Sequence, residues 1–299
     1  MRSKIKQKQG SISTTQLAQI DTVSENLIAI FKEKQSYKSV SINEKNFIDY
    51  SIKEIVSNIF EQSTTASEID NRISALIEAF NKFHYFPLQT YSDLFEVALE
   101  KFLSSLDSNV SKVYILPGAG LGKLSVKSFQ VVMYMFKGNS LSAILHKLQI
   151  TRKIKFTFLK DGSIIPIKSD NIKVLFVDDF VGTGASFERE LQDARGKIKL
   201  QNNIEIPRYA LLCLVIDKET KSQLNQKYDV FDGFSVDEET QIEEKFKQLF
   251  PVSQNFNITM HDFNSFSNAL LVSMVRTPNN TIPFFYKNQP FLRLRVNDE

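Results

Sequence analysis

The strongest constraint on the fold is a stretch of sequence in which a buried strand is followed by two acids, a glycine-bearing turn and a helix. Residues 174–177 are four apolar residues in a row, which is typical of a strand buried on both faces of a parallel sheet. Asp178 and Asp179 follow directly, and Gly182 and Gly184 allow the next turn to approach a ligand closely. Open α/β sheets bind ligands at their carboxyl edge, so we expect both carboxylates to face a ligand there.

A helix is predicted to begin immediately after this turn. Its first amide groups have no partner within the helix, and the positive end of the helix dipole favours an anion, usually a phosphate. The hydroxyls of Thr183 and Ser186 can donate to that phosphate, while the carboxylates can accept from ribose hydroxyls or surround Mg²⁺. The sequence therefore predicts a site for sugar and phosphate together. Its predicted phosphate-binding residues are Val181, Gly182, Thr183, Gly184, Ala185 and Ser186.

Two further apolar runs, at residues 113–116 and 209–216, predict additional strands, with helical patterns between the predicted strands. This alternation predicts a parallel α/β sheet with helices on both faces. Gly162 is predicted to form a hairpin turn between a strand that ends near residue 159 and the apolar pair at 164–165.

The earlier part of the chain reads as helices. Residues from about 14 to 107 carry four successive amphipathic patterns with almost no glycine. We therefore expect a helical N-terminal extension over residues 1–107 and an α/β core over residues 108–299, whose last part forms a C-terminal hood segment.

Composition excludes several classes of protein. The 299 residues include 37 Lys and Arg against 34 Asp and Glu, and the resulting net charge of +3 does not indicate a nucleic-acid binder. The first nine residues are basic, and they are either a frayed tail or a contact to nucleic acid or to a partner. No apolar run approaches the roughly 20 residues that cross a bilayer, and no secretory signal is visible. Cys213 is the single cysteine, expected as a core thiol, which excludes an internal disulfide. We expect a soluble cytoplasmic protein.

Residues 174–186 resemble the signature of the type I phosphoribosyltransferases, which bind phosphoribosyl pyrophosphate (PRPP). That signature is four apolar residues, two acids, two apolar residues, a variable position, Thr-Gly, a small residue and Thr or Ser, and every position fits, with Ser186 last. The resemblance implies a parallel twisted sheet flanked by helices, a phosphoribosyl ligand and Mg²⁺ as cofactor. It also implies that Asp178 and Asp179 are the catalytic residues and that they hold Mg²⁺ directly or indirectly.

The same resemblance implies an earlier loop that holds pyrophosphate through backbone amides and a basic side chain. Three alternating glycines after residue 116 permit a tight loop of this kind, and a purely structural loop is the alternative. A Walker A loop would need Gly where Pro117 stands, and a dinucleotide-binding loop would need Gly or Ala where Lys123 stands. The residues assigned to the pyrophosphate loop are Pro117, Gly118, Ala119, Gly120, Lys123, Lys127 and Ser128.

Gly182 departs from the pattern of the purine-salvage members. In those enzymes the corresponding slot commonly holds an acid that serves as general base for the nucleobase. Glycine has no side chain through which to exchange a proton. The departure weakens a purine-salvage function and leaves the acceptor of the ribosyl group open.

Several features together are similar to the PRTase-CE group, phosphoribosyltransferase-like domains of bacterial conflict systems that include retrons and other antiphage modules. They are the helical N-terminal region, Ile115-Leu116-Pro117 leading to Lys127-Ser128, the acid-pair motif with Thr183-Gly184, and a late motif at 278–283. Membership implies an effector that acts with a partner such as a reverse transcriptase and its DNA–RNA product, in an oligomer or hetero-complex and without a membrane. The late motif is alternatively a rigid turn with aromatic packing.

Two classes of function remain open at this point. In the first, the protein is an enzyme that binds Mg²⁺ and PRPP or a related nucleotide and transfers or cleaves the ribosyl bond, either in antiphage defence or as an ordinary nucleotide-salvage phosphoribosyltransferase. In the second, it is a non-catalytic sensor or scaffold that binds a phosphoribosyl ligand and passes that state to a partner protein or nucleoprotein. The acid pair indicates ligand binding in both classes.

Overall fold

The structure is a computed structural model that describes most of the chain. The described residues are 13–117, 132, 135–136, 139–148, 150, 153–159, 164–165, 171–197, 199–200, 209–250, 270–274, 281–282 and 284–285. The chain divides into two compact units, one formed by residues up to 89 and from 239 onward, the other by residues 90–238. This division differs from the boundary expected at residue 107, because the helix before that boundary belongs to the unit that carries the sheet.

Helices dominate the described part of the first unit, and helices and strands alternate in the second. The helices are α1 (Thr14–Glu33), α2 (Gln35–Lys38), α3 (Ile42–Gln62), α4 (Ala66–Lys82), α5 (Tyr91–Ser105), α6 (Asn139–Lys147), α7 (Ala185–Lys197), α8 (Lys218–Leu224) and α9 (Thr240–Leu249), with a 3-10 turn at Leu88–Thr90. The strands are β1 (His84–Tyr85), β2 (Lys112–Pro117), β3 (Lys155–Phe158), β4 (Ile164–Ile165), β5 (Ile172–Val181), β6 (Lys199–Leu200), β7 (Ala210–Asp217), β8 (Asp229–Val236) and β9 (Val272–Ser273). Within the described part of the chain, no helix has both the length and the apolar character needed to cross a membrane.

The second unit contains a five-stranded parallel sheet in the order β3-β2-β5-β7-β8. β5 lies at its centre, and all eight residues of β7 are buried, as expected of a strand covered on both faces. The parallel α/β sheet and the helical N-terminal part that the sequence predicts are confirmed.

The order of the strands reverses between β2 and β5. The chain runs outward from β2 to β3 on one side of the sheet, then returns to β5 and runs outward through β7 to β8 on the other side. In open α/β sheets, ligands bind in the crevice at the carboxyl ends of the two strands between which the order reverses. Pro117, the last residue of β2, is registered beside Val177 of β5, so the ends of both strands lead to that crevice.

Two details differ from the sequence-based expectations. β5 continues through the acid pair to Val181 because its pairing with β7 continues to the last residue, Val181 beside Ile216. The acid pair therefore lies within the last four residues of the strand and not after its end. The hairpin expected at Gly162 is wrong, because β3 runs parallel to β2 and β4 pairs in parallel with β6.

Aromatic contacts fix helices to both faces of the sheet. The ring of Phe187 in α7 lies edge-on to Phe176 of β5 at a centroid distance of 4.9 Å, and to Tyr228 at 5.0 Å. On the other face, Phe102 of α5 lies edge-on to Phe231 of β8 at 5.5 Å. Each such pair adds about 0.5–1.5 kcal/mol beyond the burial of its apolar area. The position of α7 relative to β5 is therefore well determined, and with it both ends of the turn between them.

The first unit has an aromatic core to which its early and late segments both contribute. The ring centroid of Phe80 in α4 lies 5.9 Å from that of Phe31 in α1 and 5.9 Å from that of Phe285. Buried Arg72 of α4 donates through Nε to the carbonyl oxygen of Leu249 at 2.9 Å. The N-terminal helices therefore fold together with α9 and with the described residues that follow it in the chain.

The described residues of the late motif belong to this core. Thr281 and Ile282 are fully buried, and Thr281 Oγ1 donates to the carbonyl oxygen of Val272 at 2.7 Å. The rings of Phe284 and Phe285 lie 5.3 Å apart and both contact α9. These contacts match a rigid turn with aromatic packing. The remaining residues of the motif lie outside the described residues.

Gly233 in β8 provides a test of this packing. A Cβ atom there would lie 2.5 Å from the carbonyl oxygen of Leu94 in α5 and 2.8 Å from that of Leu214 in β7. Both are backbone atoms, which cannot rotate away. We therefore expect Gly233→Ala to lower the free energy of unfolding by about 1–3 kcal/mol in urea denaturation. Val97→Ala on the exposed side of α5 should change it by less than about 0.5 kcal/mol, and equal effects of the two substitutions would contradict the prediction.

Candidate functional site

The candidate site lies where β5 passes into α7. The strand ends at residue 181, a three-residue turn follows, and the helix begins at Ala185. The buried residues of this segment are Val181, Gly182 and Gly184. The exposed residues are Thr183, Ala185 and Ser186. The turn is thus anchored by its apolar residues, while two hydroxyl groups and the start of the helix are accessible to a ligand.

Gly184 sets the direction in which the helix leaves the turn. Its φ of 74° lies in the left-handed region, which residues with a Cβ atom rarely adopt. A Cβ atom there would also lie 3.3 Å from side-chain atoms of Thr220 and Leu224 on α8. The carbonyl oxygen of Gly184 accepts from the amide of Glu188 at 2.9 Å, the first hydrogen bond of α7.

The first turn of α7 provides amide groups for an anion. The first amides of a helix have no acceptor within the helix. The amide of Ala185 is 3.4 Å from Oγ1 of Thr183, which is longer than an ordinary N–H···O hydrogen bond. A phosphate oxygen at this position would accept a shorter and charge-assisted bond from the same amide.

The acid pair concentrates negative charge beside the turn. Asp178 is partly buried and Asp179 is buried, and the amide of Asp179 donates to Oδ1 of Asp178 at 2.9 Å. Burial raises the pKa of the Asp178 carboxyl well above its usual value, and the negative charges of Asp179 and Glu190 raise it further. A proton or a cation at this position would therefore be stabilised.

Magnesium fits this donor set when a ligand supplies part of its coordination. Among the residues that the structure describes, no group of three or more His, Cys, Asp and Glu side chains is placed to hold a metal ion. Mg²⁺ usually takes one or two carboxylates together with waters and substrate phosphates, and seldom a cage made by protein alone. Asp178 and Asp179 supply the carboxylates that such an arrangement needs.

The expected pyrophosphate loop starts next to the acid pair. β2 ends at Pro117, which is registered beside Val177, the residue before Asp178. Adjacent strands lie about 4.8 Å apart, so the chain leaves β2 within one strand spacing of the acids. The other residues assigned to this loop lie outside the described residues: Gly118, Ala119, Gly120, Lys123, Lys127 and Ser128.

A row of polar residues crosses the sheet beside the site, and one of them, Asp232, was missed by the sequence analysis. In the register of the strands, Asp178 of β5 lies beside Cys213 of β7, and Cys213 lies beside Asp232 of β8. Asp232 is buried and accepts from Lys221 Nζ at 2.7 Å and from Ser235 Oγ at 2.6 Å. These residues are far apart in sequence, so only the pairing of the strands brings them together.

Cys213 in this row is a buried free thiol, as expected from the sequence. Burial raises the pKa of the thiol well above its usual value, and the charges of Asp232 and Asp178 raise it further. The thiolate, which is the reactive form of cysteine, is therefore disfavoured at this position.

Asp217 is a second residue that the sequence analysis missed, although it ends an apolar run just as the acid pair does. Val181 is registered beside Ile216, so Asp217 and the turn that begins at Gly182 both follow directly at the carboxyl edge. Its Oδ2 atom accepts from the amide of Thr220 at 2.7 Å and thereby caps α8.

Comparison with known proteins gives limited similarity. No family profile and no curated protein sequence matches the chain. Among solved structures, the chain is similar to hypoxanthine-guanine phosphoribosyltransferase from Schistosoma mansoni in complex with IMP, with 12% identity and a TM-score of 0.30 over 51% of this chain and 66% of that one. It is also similar to orotate phosphoribosyltransferase from Aeropyrum pernix, with 13% identity and a TM-score of 0.24 over 54% of this chain and 73% of that one. The chain thus spans slightly less than two thirds of the first protein, and neither score is high enough to add to the geometry above.

The conformation of Gly184 gives a second prediction. Gly184→Ala should lower the free energy of unfolding by about 1–2 kcal/mol, because any Cβ atom is strained in the left-handed region. The two side-chain ends near it can yield, so they should add little. Urea denaturation measures the change, with Ser186→Ala on the exposed first turn of α7 as a near-neutral control. An unchanged stability in Gly184→Ala would show that the turn tolerates another conformation.

The raised pKa of Asp178 gives a third prediction. A carboxyl whose pKa is raised in the folded state destabilises that state when ionised, and this penalty shrinks as the pH falls below the folded-state pKa and is gone below the unfolded-state pKa. Asp178→Asn should therefore unfold at a higher denaturant concentration than the wild type at pH 7, and the difference should shrink between pH 7 and pH 4. Asp237→Asn, with a side chain 65% exposed, is the control. A difference that is independent of pH would contradict the prediction.

Proposed function

We propose that the chain binds a phosphoribosyl ligand, PRPP or a phosphoribosyl nucleotide, together with Mg²⁺, as a phosphoribosyltransferase-like protein. The observation that supports this is the meeting of three features at the point where the strand order reverses: the acid pair of β5, the exposed turn that leads into α7, and the end of β2. Each feature suits one part of such a ligand, and a simpler anion would need only the turn.

The roles of the residues follow from their chemistry. Exposed Thr183 and Ser186 and the first amides of α7 would hold the 5′-phosphate. The carboxylates of Asp178 and Asp179 would accept from the ribose hydroxyls and hold Mg²⁺, directly or through water. The loop that follows Pro117 would hold the pyrophosphate.

A transfer reaction at this site would proceed by exchange at C1 of the ribose. The bond from C1 to the pyrophosphate oxygen breaks and its electron pair leaves with pyrophosphate, while the acceptor forms a bond to C1 and releases a proton. The positive charge that develops on the ribose ring would lie near the Asp178 and Asp179 carboxylates, which would stabilise it. Bound Mg²⁺ would supply charge stabilisation to the leaving pyrophosphate.

One observation favours a second candidate, a sensor that binds the ligand without turnover. Gly182 stands in the turn closest to the acid pair and has no side chain with which to accept the acceptor's proton. A sensor would need the phosphate turn and the carboxylates but no proton acceptor. Measurement of pyrophosphate release separates the two candidates, because only an enzyme consumes PRPP.

We further propose, on the resemblance to the PRTase-CE group, that the protein is an effector of a bacterial antiphage system of the retron type. Its partner would then be a reverse transcriptase with its DNA–RNA product, in a hetero-complex. The test is co-purification of a tagged chain, expressed with its genomic neighbours, with a reverse transcriptase and reverse-transcribed DNA. Neighbouring genes of nucleotide biosynthesis, with no reverse transcriptase among them, would overturn this assignment.

The ligand proposal gives a fourth prediction. In titration calorimetry with Mg²⁺ present, the wild type should bind PRPP, and Asp179→Asn should weaken binding about ten-fold or more, because a charge-assisted contact is lost. Removal of Mg²⁺ with a chelator should weaken wild-type binding and have a smaller effect on Asp179→Asn.

The control for this experiment is Asp237→Asn, which changes an equal charge on an exposed side chain. It should bind PRPP as the wild type does. Absence of PRPP binding in a folded wild-type protein, or equal binding by Asp179→Asn, would overturn the assignment of the site.

A further inference from the structure

Three exposed lysines lie together at the amino end of the main sheet. Lys112, the first residue of β2, is registered beside Lys155, the first residue of β3, and the amide of Lys155 donates to the carbonyl oxygen of Ser111 at 2.9 Å. Neighbouring strands lie about 4.8 Å apart, and residues in register share one face of the sheet. Burial alternates from exposed Lys153 through buried Ile154 to exposed Lys155, so Lys153 lies on the same side. We call Lys112, Lys153 and Lys155 the lysine patch.

The charges of the lysine patch are not compensated within the described part of the chain. None of its three ammonium groups has an ion-pair or hydrogen-bond partner among the described residues. Every other lysine of the second unit whose side chain is described forms an ion pair with Asp or Glu. These paired residues are Lys101, Lys147, Lys173, Lys218, Lys221 and Lys227. Like charges side by side on neighbouring strands destabilise a sheet, and an anionic partner would offset that cost.

The lysine patch does not belong to the candidate phosphoribosyl site. Lys112 is registered beside Ile172, which stands six residues before Asp178 in β5. At about 3.3 Å per residue, this places the patch about 20 Å from the acid pair along the strand. In sequence, Lys153 and Lys155 lie between the two expected ligand loops, but the parallel pairing of β3 with β2 places them at the opposite edge of the sheet.

We propose that the lysine patch binds the phosphate backbone of a nucleic acid. A nucleic-acid strand carries one phosphate per about 3.4 Å of its axis, so adjacent cations can meet successive phosphates of one strand. Lysine binds phosphate as a point charge, and such contacts carry no information about base sequence. The net charge of +3 for the whole chain conceals this local concentration of positive charge.

The composition of the patch favours a nucleic acid over a protein partner. Lysine is depleted in protein–protein interfaces, whose centres are enriched in aromatic side chains. Here the exposed positions are lysines, and the next residue on the same face of β3 is the polar Thr157.

The test is fluorescence anisotropy on the full chain with three labelled nucleic acids: a single-stranded DNA, an RNA of the same sequence and their hybrid duplex. We expect the wild type to bind, and the form that binds most tightly identifies the type of nucleic acid. Replacement of all three patch lysines by Gln should weaken binding about ten-fold or more at low salt. The slope of log affinity against log salt concentration should become shallower by about 2 for a single strand, because each lost phosphate contact removes about 0.7.

The matched control removes the same charge elsewhere. Lys53→Gln, Lys218→Gln and Lys227→Gln, combined in one chain, change three exposed lysines that each pair with an acid. This control should keep the affinity and the salt slope of the wild type. Urea denaturation should show that the patch variant is at least as stable as the wild type, because repulsion between its lysines is relieved.

Several results would overturn the inference. They are absence of binding by folded wild-type protein, equal losses in the two triple variants, and unchanged binding in the patch variant, which would place the contact elsewhere, such as at the basic first nine residues. Binding of polyglutamate as tightly as of the nucleic acids would indicate an acidic protein partner instead. PRPP binding should be equal in the patch variant and the wild type, so that failure of this inference and failure of the proposed function are separate outcomes.

Discussion

The parallel pairing of β2, β5 and β7 is the constraint on which the candidate site depends. Because the three strands run in one direction, their carboxyl ends lie at one edge of the sheet, with Pro117 beside Val177 and Val181 beside Ile216. Side chains alternate between the two faces of a strand, so a shift of one residue in either pairing would move Asp178 to the opposite face. The packing of individual side chains opposes that shift, since it would turn Phe176 away from Phe187 of α7. The packing of the sheet against its helices thus fixes the positions of the acids.

The packing of helices against the sheet also fixes the position of the turn between β5 and α7. α7 is held against β5 by the edge-on contact of Phe187 with Phe176, and α8 supports Gly184 through Thr220 and Leu224. The turn therefore lies between two helices whose positions are set by buried contacts, which suits a site that must hold amides and hydroxyls in a defined geometry. Apolar residues pack the strands and helices together, and the polar residues of the candidate site lie at the carboxyl edge of the sheet.

Much of this arrangement is predictable from sequence because it depends on local patterns. Four apolar residues before the acid pair predict a buried strand, and glycine at 184 followed by a helical pattern predicts the turn, which requires a left-handed residue there. Pairing between distant segments is not encoded locally. The hairpin expected at Gly162 is wrong for this reason. Proximity in sequence suggested that β3 pairs with β4, but β3 pairs with β2 and β4 pairs with β6. The position of Asp217 at the carboxyl edge also required the register of β7, which local sequence does not encode.

Two carboxylates in the same row of the sheet have opposite electrostatic surroundings. Burial alone would raise the pKa of Asp232, but hydrogen bonds from Lys221 and Ser235 more than offset it, so that its pKa lies below the usual value. Asp178, two strands away, has the opposite surroundings: burial raises its pKa, and the described charges that act on it, from Asp179 and Glu190, are negative. Lys221 and Ser235 thus compensate the first carboxylate, whereas none of the described side chains that shift the pKa of the second brings a positive charge to it. A proton relieves this repulsion, and the Mg²⁺ that we propose for the site would relieve it as well.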